Sequence, residues 1–191
     1  MVDTVKNDPS FLMEQAKNGN QEAFGSLYKL YFVPVFRYVS LRIGNRIETE
    51  DLTQTVFLKV FKSIERYRDE NKDPLAYFFT VARNTVIDFW RKKKRKEIPL
   101  EDTDENELET DDSSHDLVEQ AEKELSQNTL KKALGILTDE QKEVIVLKFI
   151  SDLSNKEISD VIGKSEEAIR QLQCRALKKL RDNLKNHNID L

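Results

Sequence analysis

A single cysteine, Cys174, has no partner for an internal disulfide and rules out a cysteine-rich zinc site. The two histidines, His115 and His187, have no companions at metal-ligand spacing. Five glycines and four prolines in 191 residues are too few turn formers for a many-stranded sheet, which needs frequent breaks. No run approaches the roughly 20 apolar residues that span a membrane. The first 20 residues lack the apolar centre of a secretory signal. The expectation is a reduced, cytoplasmic protein with no membrane insertion. No glycine-rich phosphate loop and no paired nucleophile and base is visible, so neither an enzyme nor a cofactor is expected.

What the chain does have is charge, unevenly placed. Charged residues make up 35% of it, yet the net charge is only −4. Residues 1–96 carry 18 Lys and Arg against 12 Asp and Glu. Residues 97–122 carry 12 acids and no base, and residues 123–191 carry 13 bases and 11 acids. Two cationic ends flank an anionic tether, and this asymmetry says more than the total. Eight of the twelve residues from Glu101 to Asp112 are acidic. Such a stretch buries too little apolar surface to offset the entropy of ordering it. Residues 97–116 are therefore read as an acidic flexible linker between two small helical domains, 1–96 and 117–191, in an all-α fold.

Helical periodicity fills both ends. Ser10 is positioned to cap a short helix ending near Gly19. A second helix spans about Gln21 to Ile43, with Pro34 inside it and Gly44 ending it. A third runs from about Glu48 to Tyr67, with Leu52, Val56, Phe57, Val60, Phe61 and Ile64 as its apolar set. Pro74 suits the first turn of a fourth. That helix carries Leu75, Phe78, Phe79, Ala82, Val86 and Phe89 and ends in six cations, Arg91 to Lys96. Beyond the linker, a helix near Leu117 to Leu137 precedes two capping boxes, Thr138 with Gln141 and Ser154 with Glu157. These start helices of about Asp139 to Ile150 and Asn155 to Ile162. Gly163 stops the second, and Ser165 caps a last helix reaching about Leu184.

Helix, glycine turn, helix is the spacing of a helix-turn-helix. In the last helix Ile169, Leu172, Ala176, Leu180 and Leu184 share an inward face. Arg170, Gln171, Cys174, Arg175 and Lys178 fall opposite. Arg and Gln read base edges in the major groove, and Lys neutralises phosphate. An amphipathic helix with a merely solvated charged face accounts for the pattern about as well when it stands alone. The fourth helix adds a second case by interleaving rings with cations. Aromatic faces hold unstacked bases while cations follow the backbone. Phe78, Phe79 and Phe89 read as core, and Tyr77 and Trp90 are left open. Six consecutive cations exceed what a helix C-terminus needs, which favours phosphate contact.

These residues carry a family resemblance. The run Asp51-Leu52-Thr53-Gln54-Thr55-Val56-Phe57-Leu58 resembles the second conserved region of bacterial sigma factors, whose pattern is close to D-L-x-Q-E-x-F-L. Tyr77 to Arg91 resembles the promoter-melting helix, with Ala82, Arg83, Asn84 and Asp88 at its core. Leu137 to Leu180 resembles the C-terminal domain of the same family. With no further folded domain between these motifs, the chain is similar to the extracytoplasmic-function group. Three departures stand out: Thr55 where Glu is usual, Tyr77 where Trp is common, and Cys174 on the DNA-facing side. They bear on polymerase affinity and promoter choice.

The resemblance implies a division of labour. Asp51, Gln54, Thr55 and Leu58 would dock on the β′ clamp coiled coil of core RNA polymerase, with the β flap as a further contact. Arg68, Asp69, Asn71 and Lys72 of the loop, with Arg83, Asn84, Asp88, Arg91 and Lys92 of the fourth helix, would engage the −10 element of promoter DNA. Ser165, Glu167, Arg170, Gln171, Cys174, Arg175 and Lys178 would read the −35 element. The acidic linker would imitate a polyanion in a basic channel of the polymerase. An anti-sigma factor is a plausible partner under the same resemblance. The linker would leave the domains free to wander, so isolated DNA binding would be weak until polymerase fixes their separation. The main rival is a stand-alone helix-turn-helix regulator, which has no need of a docking helix. A redox role for Cys174 is less favoured than a small residue tolerated at the DNA interface.

Overall fold

The computed structural model describes residues 8–67, 73–96, 130 and 132–186. Every regular element among them is helical. The first three are α1 (Pro9–Lys17), α2 (Gln21–Ile43) and α3 (Arg46–Ser63), the last closing in a 3-10 turn over Ile64–Arg66. The fourth is α4 (Pro74–Lys96). Residues 132–135 are helical and lead into α5 (Asp139–Ile145), which widens into a π-helical turn at Val146–Ile150. Two more helices follow, α6 (Asn155–Ile162) and α7 (Glu166–Asn186). The expected linker and most of the helix expected over 117–137 lie outside the described residues. No described helix is long and apolar enough to cross a membrane.

Local chemistry sets most boundaries. Asn20 and Asn45 accept backbone N–H groups at the starts of α2 and α3. Asp73 accepts from the Leu75 N–H at 2.8 Å, with Pro74 beside it as expected. Both capping boxes form: Thr138 with Gln141 at α5, and Ser154 with Glu157 at α6. Gly163 ends α6 in the left-handed conformation, at φ 76°. The cap of α1 differs from expectation. Asp8, not Ser10, is the capping residue, because Pro9 takes the first helical position and leaves Ser10 as the N–H donor to the Asp8 carboxylate. The third helix starts two residues early, at Arg46, and its expected end to Tyr67 is the 3-10 turn. Pro34 sits within α2, and the helix runs through it.

The core of the N-terminal unit is aromatic. Phe78 packs on Tyr31 and Phe57, with ring centroids 4.9 and 5.5 Å apart, and Phe79 on Tyr38 at 5.5 Å. Phe78, Phe79 and Tyr38 are all fully buried. Leu134, Leu147, Ile158 and Ile169 centre the C-terminal unit. The buried residues of both units join in one hydrophobic cluster. The two units are therefore in contact in this structure. Helix α6 packs along α4, and the π-helical turn packs on α2.

Candidate polymerase and nucleic-acid interfaces

Helix α3 presents two faces with opposite character. Thr49, Thr53, Val56, Phe57 and Val60 are buried toward α2 and α4. Asp51, Gln54 and Leu58 are exposed and Thr55 is half-buried, so the expected docking residues share the outer side. Sequence reasoning missed two neighbours. Ile47 is 64% exposed and Phe61 is 48% exposed, although Phe61 was counted among the apolar set of the helix. Ile47, Asp51, Gln54, Leu58 and Phe61 step alternately by four and three, which is one stripe of a helix. That spacing was the available signal. Ile47, Leu58 and Phe61 are thus exposed apolar side chains on one stripe with Asp51 and Gln54.

Helix α4 carries the residues expected at the −10 element. Asn84, Arg91 and Lys92 are exposed, and Asp88 is half-buried. Asp88 and Arg91 pair at 3.3 Å on the same face. Trp90, 38% exposed, meets Phe89 edge-on at 5.3 Å, and the Lys93 ammonium lies 5.7 Å from the Trp90 ring. Phe89, expected in the core, is half-buried. Tyr77 is structural: its hydroxyl lies 2.7 Å from that of Ser63 and its ring packs on Tyr67. Lys93 also reaches Glu48 of α3 at 3.6 Å, so one cation of the run serves the fold. Arg83 departs from the rest. It is half-buried, and its Nε is buried without a hydrogen-bond partner. Arg68, Asp69, Asn71 and Lys72 lie outside the described residues.

In the C-terminal unit, α6, the Gly163 turn and α7 form the helix-turn-helix. Ile169 and Ala176 of α7 are fully buried, and Gln173 donates to Asn155 of α6 at 2.9 Å. Ser165, Glu167, Arg170, Gln171, Cys174, Arg175 and Lys178 are all exposed, as the expected recognition face requires. These side chains are linked along the helix. Arg170 contacts Glu167 at 3.2 Å and Glu166 at 3.4 Å. Gln171 donates to Glu167, and Arg175 donates to Gln171. Exposed pairs of this kind contribute less than about 1 kcal/mol, so they exchange readily for base or phosphate partners. Ser165 has a second task, accepting the Ala168 N–H at the start of α7.

An apolar groove opens on another side of this unit, with a volume of about 280 Å³. Leu134, Ile145, Phe149, Leu177 and Leu184 line it. Phe149 is 57% exposed and Leu177 41% exposed, an unusual exposure for large apolar side chains near one another. Among the described residues no group of three or more His, Cys, Asp or Glu side chains is placed to hold a metal ion.

Comparison with known proteins agrees with this geometry. The model of sigma-70 region 2 matches residues 27–96, and that of sigma-70 region 4 matches residues 133–182. The chain is 37% identical over 171 residues to the ECF RNA polymerase sigma factor BldN of Streptomyces coelicolor, covering 88% of this chain and 63% of that protein. It is 26% identical over 180 residues to the ECF RNA polymerase sigma factor SigW of Bacillus subtilis, covering 91% of this chain and 95% of that one. Its fold is similar to CnrH, solved in complex with the cytosolic domain of CnrY, with a TM-score of 0.71 at 24% identity over 94% of this chain and 98% of that chain. The region 2 match covers α3 and α4, beside the region 4 match over the helix-turn-helix unit, and this disfavours the stand-alone regulator. The chain belongs to the sigma-70 family of RNA polymerase sigma factors, in its extracytoplasmic-function (ECF) group.

Proposed function

We propose that this chain binds core RNA polymerase through the outer stripe of α3 and directs it to promoters that its two units read separately. The observation that carries this reading is the pairing, on one chain, of a half-apolar docking stripe with an exposed recognition helix in a helix-turn-helix. The stripe is Ile47, Asp51, Gln54, Leu58 and Phe61, and its partner is the β′ clamp coiled coil. The groove beside Phe149 and Leu177 takes an apolar element of the β flap. The chain brings recognition and no bond-making chemistry; the polymerase supplies catalysis.

At the −35 element, Arg170 and Arg175 release their helical partners and donate to base edges or phosphates. At the −10 element, Asn84, Asp88, Arg91 and Lys92 meet the strand opened there, together with Arg68, Asp69, Asn71 and Lys72 of the preceding loop. Taking a base out of the duplex costs a few kcal/mol, which contacts to its edge and backbone offset. The acidic residues 97–116 are suited to a basic channel of the polymerase. Anti-sigma partners occur among similar proteins: RpoE of Bartonella quintana was solved with the anti-sigma factor NepR. A similar partner for this chain would cover the α3 stripe or the flap groove.

The test is equilibrium binding of the full chain to core polymerase, followed by retention of promoter fragments by the complex. Leu58→Asp should weaken core binding at least tenfold with folding intact, since Leu58 is 54% exposed. Unchanged binding by Leu58→Asp and by Asp51→Ala with Gln54→Ala would remove the docking assignment.

A further inference from the structure

Helix α1 ends at Lys17, before the residues matched to region 2, which begin at residue 27, so the family likeness gives it no task. Its last turn nevertheless makes a long-range polar contact. Lys17 Nζ donates to the carbonyl of Tyr67, 50 residues away in sequence, at 2.9 Å, and the bond is partly buried. A cation in the last turn of a helix ordinarily serves the carbonyls of that helix. Here the ammonium reaches a different element, because Tyr67 follows the 3-10 turn that finishes α3. Tyr67 is itself buried. Its N–H donates to the Ile64 carbonyl at 3.0 Å, and its ring packs edge-on against Tyr77 of α4 at 5.2 Å. The Tyr77 hydroxyl in turn lies 2.7 Å from that of Ser63, at the end of α3. Helix α1 packs on both the 3-10 turn and α4.

We propose that Lys17 is a positioning residue for promoter selection: by holding the Tyr67 carbonyl it fixes the end of α3 against α1 and α4, and so fixes the point from which residues 68–72 depart. The proposal rests on the reading, given above, that Arg68, Asp69, Asn71 and Lys72 meet the −10 element.

The two ends of this connection are held by different means. At the far end Asp73 is set locally. Its carboxylate accepts the Leu75 N–H at 2.8 Å, its carbonyl accepts the Ala76 N–H at 3.0 Å, and Pro74 beside it is buried. The near end has less local support. A 3-10 turn is short and its hydrogen bonds are poorly aligned. The carbonyls that finish a helix have no partner within it. A hydrogen bond from a charged donor is stronger than a neutral one, and Lys17 supplies it where the chain leaves α3. Groups that recognise a ligand must be held within about 0.5 Å of the working geometry by the residues behind them. Lys17 touches no nucleic acid in this scheme. Its loss therefore lowers selectivity at the −10 element and leaves docking on polymerase as it was.

The test uses the full chain bound to core polymerase and a pair of promoter fragments: one that the complex retains, and the same fragment with its −10 element changed. Lys17→Met keeps the aliphatic stem and removes the donor, whereas Lys17→Arg keeps a charged donor. Circular dichroism confirms that each variant is folded. Lys17→Met should reduce the ratio of affinities for the two fragments about fivefold, the scale of one net hydrogen bond, with core polymerase binding unchanged. Lys17→Arg should retain most of the ratio. Arg68→Ala with Asn71→Ala is the reference for the −10 reading itself. An unchanged ratio in Lys17→Met, while the reference variant loses selectivity, would overturn the positioning role. A loss equal on both fragments would assign Lys17 to stability alone and overturn it as well. An unchanged ratio in the reference variant would overturn the −10 reading of residues 68–72, and the proposal with it.

Discussion

Arg42 and Glu143 face each other at 3.3 Å with side chains 10% and 6% exposed, joining the end of α2 to the middle of α5. Removing either partner leaves the other charge buried and unmatched. Glu143→Ala is expected to destabilise the fold by roughly 3–5 kcal/mol. Arg42→Ala in the same background should then cost much less than it does alone. Urea unfolding of the two single variants and the double variant measures this, and simple additivity would show that the pair is not coupled.

Two buried tyrosines predict an alkaline limit to stability. Burial pushes the Tyr38 hydroxyl well above its ordinary range, and the Glu143 carboxylate adds to the rise while Arg42 and Arg83 oppose it. Burial likewise raises Tyr31, with Asp73 and Tyr67 contributing. Both folded-state values exceed the unfolded value of about 10. The folded state therefore holds protons that the unfolded state releases. Stability from this source is intact below pH about 10 and falls above it by roughly 1.4 kcal/mol per pH unit for each tyrosine. Tyr31→Phe and Tyr38→Phe should each remove about one proton from the slope of stability against pH between about 10 and 12. An unaltered slope would contradict the burial of that hydroxyl.

Gly163 is at φ 76°, and a Cβ added there meets nothing within 4 Å. The cost of Gly163→Ala is thus backbone strain alone, about 1–2 kcal/mol. Gly163→Asn should cost less, because Asn tolerates the left-handed region. Thermal unfolding of the two variants ranks them, and a reversed order would mean that the turn relaxes.

Much of the fold was legible in the sequence because its local signals agree with its packing. Thr138, Ser154 and Gly163 each carry a side chain, or lack one, that fixes a helix end without help from distant residues. The two faces of α7 were legible for the same reason, since Ile169 and Ala176 set the buried side and Arg170 and Arg175 the exposed one. Phe61 and Ile47 were harder. An apolar residue on an amphipathic helix reads as core unless its phase is checked, and their phase is that of Asp51 and Gln54. The contact between α2 and α5 was not legible at all. Tyr38 and Glu143 are 105 residues apart, and no local pattern in either helix marks the one as the other's partner. Arg83 suffers the same ambiguity: its place in the promoter-melting motif is a sequence property, and the burial of its Nε atom is a tertiary one.

Arg170 and Arg175 are fully available on α7 apart from weak pairs within the helix. Alanine at a position that contacts a base should cost on the order of 1–3 kcal/mol of discrimination between promoters, without affecting core polymerase binding. Competition between matched and altered −35 sequences measures it. A loss equal on all sequences would reassign that arginine to phosphate.

The most direct measurement is run-off transcription by core polymerase on a library of promoter fragments, with and without this protein. Specific transcripts that require the protein, and that vanish with Asp51→Ala and Gln54→Ala, are the predicted result. No protein-dependent transcript, together with tight binding of the free protein to duplex DNA of any sequence, would contradict the account.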